Sequence, residues 1–157
     1  MKVLLINPPL TSYDKPIEIR TAEPLGLMYL AAFLRERDVQ VEIFDVFLGI
    51  KSKSISSSFF RDGFREEEIK DKIIEFKPDI VGITLMFTMH SNETHDIARI
   101  VKEVSKDILV VFGGSHVSAL PNIVLQDSNV DIAVIGEGEE TLYEIVKKFS
   151  SCSDLRD

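Results

Sequence analysis

Ile108-Leu109-Val110-Val111-Phe112-Gly113-Gly114-Ser115-His116 joins an apolar run to a glycine pair and two polar tips. Three further segments are built in the same way. Val3-Leu4-Leu5-Ile6 runs into Asn7-Pro8-Pro9, Ile80-Val81-Gly82-Ile83 into Thr84-Leu85-Met86, and Ile132-Ala133-Val134-Ile135 into Gly136-Glu137-Gly138-Glu139. Continuous runs rich in Val and Ile suit strands covered on both faces, as in a parallel sheet. Ligands of an open parallel sheet sit outside the carboxyl ends of the strands. The loops that follow these runs therefore share one face, and that face is the expected binding site.

Between the runs lie stretches of helical periodicity. Pro24 suits the first turn of a helix whose stripe is Leu27, Met28, Leu30, Ala31 and Leu34, and Val41-Glu42-Ile43-Phe44-Asp45 is a second strand. Residues 48–64, with Ser52, Ser54, Ser56, Ser57 and Ser58, read as a polar loop over the ligand face. A helix over 65–76 turns Ile69, Ile73, Ile74 and Phe76 inward. The next starts with Ser91 or Asn92 as its cap and presents Ile97, Ala98, Ile100, Val101 and Val104 to the sheet. Pro121 opens a short helix containing Ile123, Val124 and Leu125, and a last helix over 140–149 presents Leu142, Ile145, Val146 and Phe149. Right-handed crossovers turn this order into an α/β, doubly wound, five-stranded parallel sheet, flavodoxin-like with strand order 2-1-3-4-5. Residues 1–149 form one domain, and 150–157 read as the start of a linker or a disordered tail.

The chain has 157 residues, enough for one domain with a real core. Its net charge of −8 opposes a nucleic-acid footprint, which would be basic. No apolar run approaches the roughly 20 residues that span a bilayer, so neither nucleic acid nor membrane is an expected partner. The one cysteine, Cys152, excludes an intrachain disulfide and a cysteine cluster for zinc or iron–sulfur. A cytoplasmic protein is the expectation.

The loops exclude several chemistries. There is no G-x-x-x-x-G-K-[ST] phosphate cradle, and no G-x-G-x-x-G follows the first strand. A flavin phosphate loop would need hydroxyls and glycines where Asn7-Pro8-Pro9-Leu10 stands, and a phosphoacceptor receiver would need acids at Asn7 and Thr84. No hydrolase triad stands out, and no catalytic residue is assigned.

Positive signals remain. Gly113 and Gly114 remove two side chains, so a flat, bulky group can lie against bare backbone, with Ser115 and His116 as hydrogen-bonding tips; a tight turn alone would also use such a pair. Thr84 and Thr88 bracket Leu85, Met86 and Phe87, hydroxyls beside apolar wall, or else a capping threonine with core neighbours. Asp45 either caps the following segment or bonds a ligand amide. Gly136 and Gly138 let backbone amides approach a ligand edge, while Glu139-Glu140 favours the positive end of the last helix. His90 and His116 lie on the binding face, where they could approach a metal from one side, but they lack the spacing and partners of a metal site. His95, one turn into a helix, reads as a surface side chain.

Together these stretches resemble the cobalamin-binding amino-terminal domain of cobalamin-dependent radical S-adenosylmethionine enzymes. The matching segments are Leu4-Leu5-Ile6-Asn7-Pro8-Pro9, Pro24-Leu25-Gly26-Leu27-Met28-Tyr29-Leu30-Ala31-Ala32, Pro78-Asp79-Ile80-Val81-Gly82-Ile83-Thr84, the stretch 111–121 through Gly113-Gly114-Ser115-His116, and Gly136-Glu137-Gly138-Glu139-Glu140-Thr141-Leu142. The resemblance implies cobalamin (vitamin B12) held against the carboxyl ends of the strands, its nucleotide tail in a cleft beside the first, third and fourth strands. On that pattern Thr84 and Leu85 line the tail pocket, Gly113 and Gly114 flank its base, and Asn7 and Pro8 line its mouth. The remaining residues expected to touch the cofactor are Asp45, Met86, Thr88, Ser115, His116, Gly136, Glu137 and Gly138.

Two departures shape what the resemblance implies. Cobalamin domains of methyltransferases and mutases carry D-x-H-x-x-G after the first strand, whose histidine ligates cobalt. Asn7-Pro8-Pro9-Leu10-Thr11-Ser12 has no such histidine, so the lower cobalt position is empty, water-filled or met by another residue. The family's catalytic partner holds a [4Fe-4S] cluster and S-adenosylmethionine through C-x-x-x-C-x-x-C, and this chain has no such motif. The implied function is therefore the cobalamin-holding part of a radical enzyme that methylates carbon, not catalytic alone, with a radical domain in the same or a separate chain. The alternative is a cofactor-free recognition or scaffold module of the same fold.

Overall fold

A computed structural model describes residues 1–13, 23–49, 52–56 and 59–151, with 52–56 described in backbone only. The five runs and turns of the central sheet are β1 (Lys2–Asn7), β3 (Gln40–Asp45), β6 (Ile80–Thr84), β7 (Leu109–Gly113) and β8 (Ile132–Ala133). Their order across the sheet is β3-β1-β6-β7-β8, all parallel, so the first strand lies between the second and third. This is the expected 2-1-3-4-5 order. The direction of winding reverses between β1 and β6, which opens a crevice at their carboxyl ends.

Helices cover both faces. Helix α1 (Leu25–Arg35) and helix α6 (Glu139–Ser150) lie on one face, where Leu27, Ala31, Leu34, Leu142, Ile145 and Val146 pack on Val3, Leu5, Val111 and Val134. On the other face α2 (Glu66–Phe76) and α3 (Ser91–Val104) bury Ile69, Ile73, Ile97 and Ile100 against Leu4, Ile6, Val81 and Phe112. Each such side chain contributes about 1.5–3 kcal/mol by leaving water. Two short helices, α4 (Ser115–Ala119) and α5 (Pro121–Val124), complete the second face.

Charge placement agrees with the helix dipoles. Glu66, Glu67 and Glu68 open α2, and the Arg65 amide donates to Glu68 Oε2 at 2.9 Å. Glu139 and Glu140 open α6, which closes with Lys147 and Lys148.

Several expectations are corrected. The segment read as a serine-rich loop holds strands β4 (Ser52–Ser56) and β5 (Phe59–Asp62), while Ser57 and Ser58 lie outside the described residues. Together with β2 (Leu10–Tyr13) they form a three-stranded antiparallel sheet in the order β2-β5-β4. That sheet leans on the start of α3: Thr11 Oγ1 donates to Glu93 Oε1, and Arg61 meets Asp96 at 3.1 Å. Polar bonds help to anchor it, and residues of that kind also populate loops, so its strands are hidden in the sequence. Helix α3 begins at Ser91 after a 3-10 turn over Thr88–His90, and neither Ser91 nor Asn92 is its cap. Met28 and Ile74 point outward, at 41% and 54% exposure, because each sits one position off the buried stripe of its helix. Ile123 and Leu125 are exposed and only Val124 of that group is buried. The last strand stops at Ala133, leaving Ile135 in solvent.

Candidate functional site

A cleft of about 260 Å³ opens at the carboxyl end of the sheet, on the side of α1 and α6. Leu5, Val111 and Val134 reach it from the sheet, Gly26, Leu27 and Leu30 from α1, and Leu142 from α6. Thr84 at the end of β6 and Met86 beyond it line the cleft, as do Gly113 at the end of β7 with Gly114 beyond it, and Gly136, Glu137, Gly138 and Glu139 after β8. A Cβ built on Gly26 or Gly113 would meet nothing within 4 Å, so both glycines leave open space. Gly114 is bare for a different reason. Its φ of +117° disfavours side chains, and a Cβ there would lie 2.6 Å from the Leu85 carbonyl oxygen.

Hydrogen bonds lace the loops after β6 and β7 together. The Leu85 amide donates to Gly113 O at 2.7 Å, and the His116 amide donates back to Leu85 O at 3.2 Å. Ser115 Oγ donates to Met86 O at 2.6 Å. These bonds fix the rim in the free protein, which spares a ligand the cost of ordering it.

The sequence-predicted residues divide cleanly. Thr84, Met86, Gly113, Gly114, Gly136, Glu137 and Gly138 are brought together on the cleft. Asn7, Pro8, Asp45, Leu85, Thr88, Ser115 and His116 are not among its lining residues. The Leu85 side chain is fully buried on the α3 face with Ile83, Ile97 and Phe112, so alternation places Met86, not Leu85, on the cleft beside Thr84. Asn7 Nδ2 donates to Asp45 Oδ1 at 3.0 Å across the paired ends of β1 and β3. Asp45 Oδ1 also accepts from the Phe47 amide at 3.1 Å, capping the turn that follows. Burial pushes the Asp45 carboxyl up, against the pull of those two donors.

His116 and His95 are engaged away from the cleft, and His90 is not on its lining. His116 is 7% exposed, and its Nδ1 shares a hydrogen bond with Thr88 Oγ1 at 2.9 Å. His90 Nδ1 is buried with no hydrogen-bond partner among the described residues, as is Glu93 Oε2. His95 is not the surface side chain expected of it: its Nδ1 lies 2.6 Å from Asp127 Oδ2 and its ring packs on Phe112. Burial alone would raise the Asp127 carboxyl, yet the Asn129 amide and the His95 ring hold it below the usual carboxylate range. Among the described residues, no three His, Cys, Asp or Glu side chains gather into a metal site.

The wall supplied by α1 was missed in the sequence. A signal was present in Gly26, a glycine in the first turn of a helix where an added Cβ would meet nothing within 4 Å. With apolar walls, bare backbone at two strand ends and one hydroxyl at Thr84, the cleft suits a flat heteroaromatic group.

Comparison with known proteins bears on this geometry. The sequence profile of the B12 binding domain matches residues 20–146. The chain is 33% identical over 144 residues to cytidylyl-2-hydroxyethylphosphonate methyltransferase of Streptomyces wedmorensis, covering 89% of this chain and 27% of that protein. It is 35% identical over 162 residues to an uncharacterized methyltransferase of Pyrococcus horikoshii, covering 99% of this chain and 31% of that protein. The chain thus spans under a third of the length of these curated relatives. Its fold is shared with OxsB, a cobalamin-dependent S-adenosylmethionine radical enzyme solved with aqua-cobalamin and S-adenosylmethionine bound. There the TM-score is 0.73 at 18% identity, over 98% of this chain and 19% of that one.

Proposed function

The chain belongs to the B12 binding domain family, and on that premise we propose that it seats cobalamin on the carboxyl face of its sheet, as the cofactor-holding part of a methyl-transferring radical S-adenosylmethionine enzyme. One observation carries the placement. The cleft is open where side chains are missing, at Gly26 and Gly113, which gives a planar base backbone to lie against.

The residues fit the group chemically. Thr84 offers a hydroxyl to a ring nitrogen of the nucleotide tail, while Met86, Leu30 and Leu142 supply apolar walls. Gly113 and Gly114 allow contact with backbone on one side of the tail. Glu137 and Glu139, also on the lining, are placed to accept hydrogen bonds from the amide side chains of a corrin. Bound cobalamin supplies a transferable methyl group, and the protein's part is to hold and orient it. None of the histidines lines the cleft, so the tail would be held there by Thr84, bare backbone and apolar side chains.

Radical formation needs the C-x-x-x-C-x-x-C motif, which this chain lacks, so a radical domain outside these residues completes the enzyme in the cytoplasm. Residues 1–149 serve as the cofactor domain, the last helix running on to Ser150. No helix among the described residues is long and apolar enough to cross a membrane.

The test is retention. The purified chain is incubated separately with hydroxocobalamin and FMN and passed over gel filtration. Cobalamin should co-elute with the protein while FMN separates from it. Loss of cobalamin at high concentration would overturn the proposal and leave a module that keeps the fold alone.

A further inference from the structure

We infer that Ser118 is a positioning residue that ties the two glycine turns of the cleft into one rim and so sets the affinity for the nucleotide tail. The inference rests on the cobalamin reading above and extends it to a residue that does not line the cleft.

The turn after β7 and the turn after β8 come from different parts of the chain and have no strand pairing beyond Phe112–Ala133 to align them. Ser118, in the last turn of α4, spans the gap with one hydroxyl. Its Oγ donates to Gly114 O at 3.1 Å and accepts from the Gly136 amide at 3.0 Å. Gly114 and Gly136 are both cleft-lining, and both have positive φ, +117° and +78°. Glycines in that region have wide conformational freedom unless something external fixes them. The Leu85 carbonyl crowds Gly114, but a Cβ at Gly136 would meet nothing within 4 Å. The space beside Gly136 is open, and its amide is held by the Ser118 hydroxyl. The neighbouring serine has a separate task, since Ser115 Oγ is spent on Met86 O.

Without the hydroxyl, the exposed Gly136 amide can turn to water, so the fold loses little. The ligand then has to order the turn as it binds, and affinity falls.

The experiment compares wild type, Ser118→Ala and Ser118→Thr of the full chain. Two probes are used: hydroxocobalamin, and cobinamide, which has the corrin ring without the nucleotide tail. Ser118→Ala should weaken hydroxocobalamin binding about 3- to 15-fold, the scale of one or two lost hydrogen bonds, and shift cobinamide by less than about 2-fold. Its denaturant midpoint should stay that of the wild type, and Ser118→Thr, which keeps the hydroxyl, should restore affinity. Hydrogen exchange of the Gly136 amide, slow in the free wild type and fast in Ser118→Ala, reads the brace without any ligand. Equal affinities in all three proteins, equal weakening for both corrinoids, or an unprotected Gly136 amide in the wild type would each overturn the inference. A wild type that binds neither corrinoid overturns the proposed function and this inference with it, whereas binding insensitive to Ser118→Ala overturns the inference alone.

Discussion

The two faces of the central sheet are covered in contrasting ways. On the face of α2 and α3 the core is continuous, with Leu85, Ile97, Val110 and Phe112 fully buried. The outer surfaces of those helices are clamped by ion pairs, with Arg99 reaching Glu66 at 3.1 Å and Glu103 at 2.6 Å, and Lys70 reaching both acids at 2.9 Å. On the face of α1 and α6 the packing is continuous only away from the strand ends. There the Arg37 guanidinium lies 3.4 Å from the Phe33 ring centre and 5.4 Å from that of Tyr143, drawing the two helices together. Toward the carboxyl ends the strands and helices part, and glycines stand where a closed core would place side chains. One face spends its residues on stability and the other keeps a space open. The same sheet does both because alternate residues of each strand point to opposite faces.

The contrast can be broken most strongly from the closed face. Ile97→Ala should cost about 2–5 kcal/mol of stability in urea unfolding, since a fully buried side chain leaves a cavity. Its affinity for hydroxocobalamin, measured where the variant is still folded, should stay that of the wild type. On the open face the order reverses. Gly113→Val projects into free space, so its unfolding midpoint should hold while hydroxocobalamin binding drops by about 1–3 kcal/mol, the usual scale of overpacking. Gly114→Ala sharpens the point because it strains the backbone against Leu85 O. It should lower stability by about 1–3 kcal/mol as well as affinity, and only the pair of variants separates filling from strain.

The ion clamp gives the smallest effect. Arg99 and Lys70 hold the Glu66 carboxyl down at about 2, below its ordinary 4.5. A lowered acid stabilises the fold above its unfolded pKa, and that contribution fades as pH falls from about 4.5 toward 2. These side chains are about 40% exposed, so solvent screens them and Arg99→Ala should cost no more than about 1 kcal/mol at neutral pH. The loss should shrink in high salt and on acidification, as read from unfolding midpoints of both proteins across that range.

The sequence was most legible where burial is greatest. Strands buried on both faces have no polar positions to interrupt them, so the runs at 3–6, 80–83 and 108–112 identify the parallel sheet and its order. The antiparallel sheet was illegible because Thr11, Arg61 and neighbouring polar groups hold it, and such residues also populate loops. The site followed the same rule. Glycines after β7 and β8 announced bare backbone, whereas the choice between Leu85 and Met86 depended on which face of the sheet each side chain takes beyond the strand end. Part of the wall comes from α1, where Leu27 and Leu30 look like ordinary core residues until the gap above them is seen.

Amide hydrogen exchange of the full chain, with and without saturating hydroxocobalamin, tests the central claim most directly. Protection gained at residues 25–30, 84–86, 113–114 and 136–139, with the helices at 66–76 and 91–104 unchanged, is the result this account predicts. Protection confined to those two helices or to the antiparallel sheet would place the ligand on the wrong side of the molecule and contradict it.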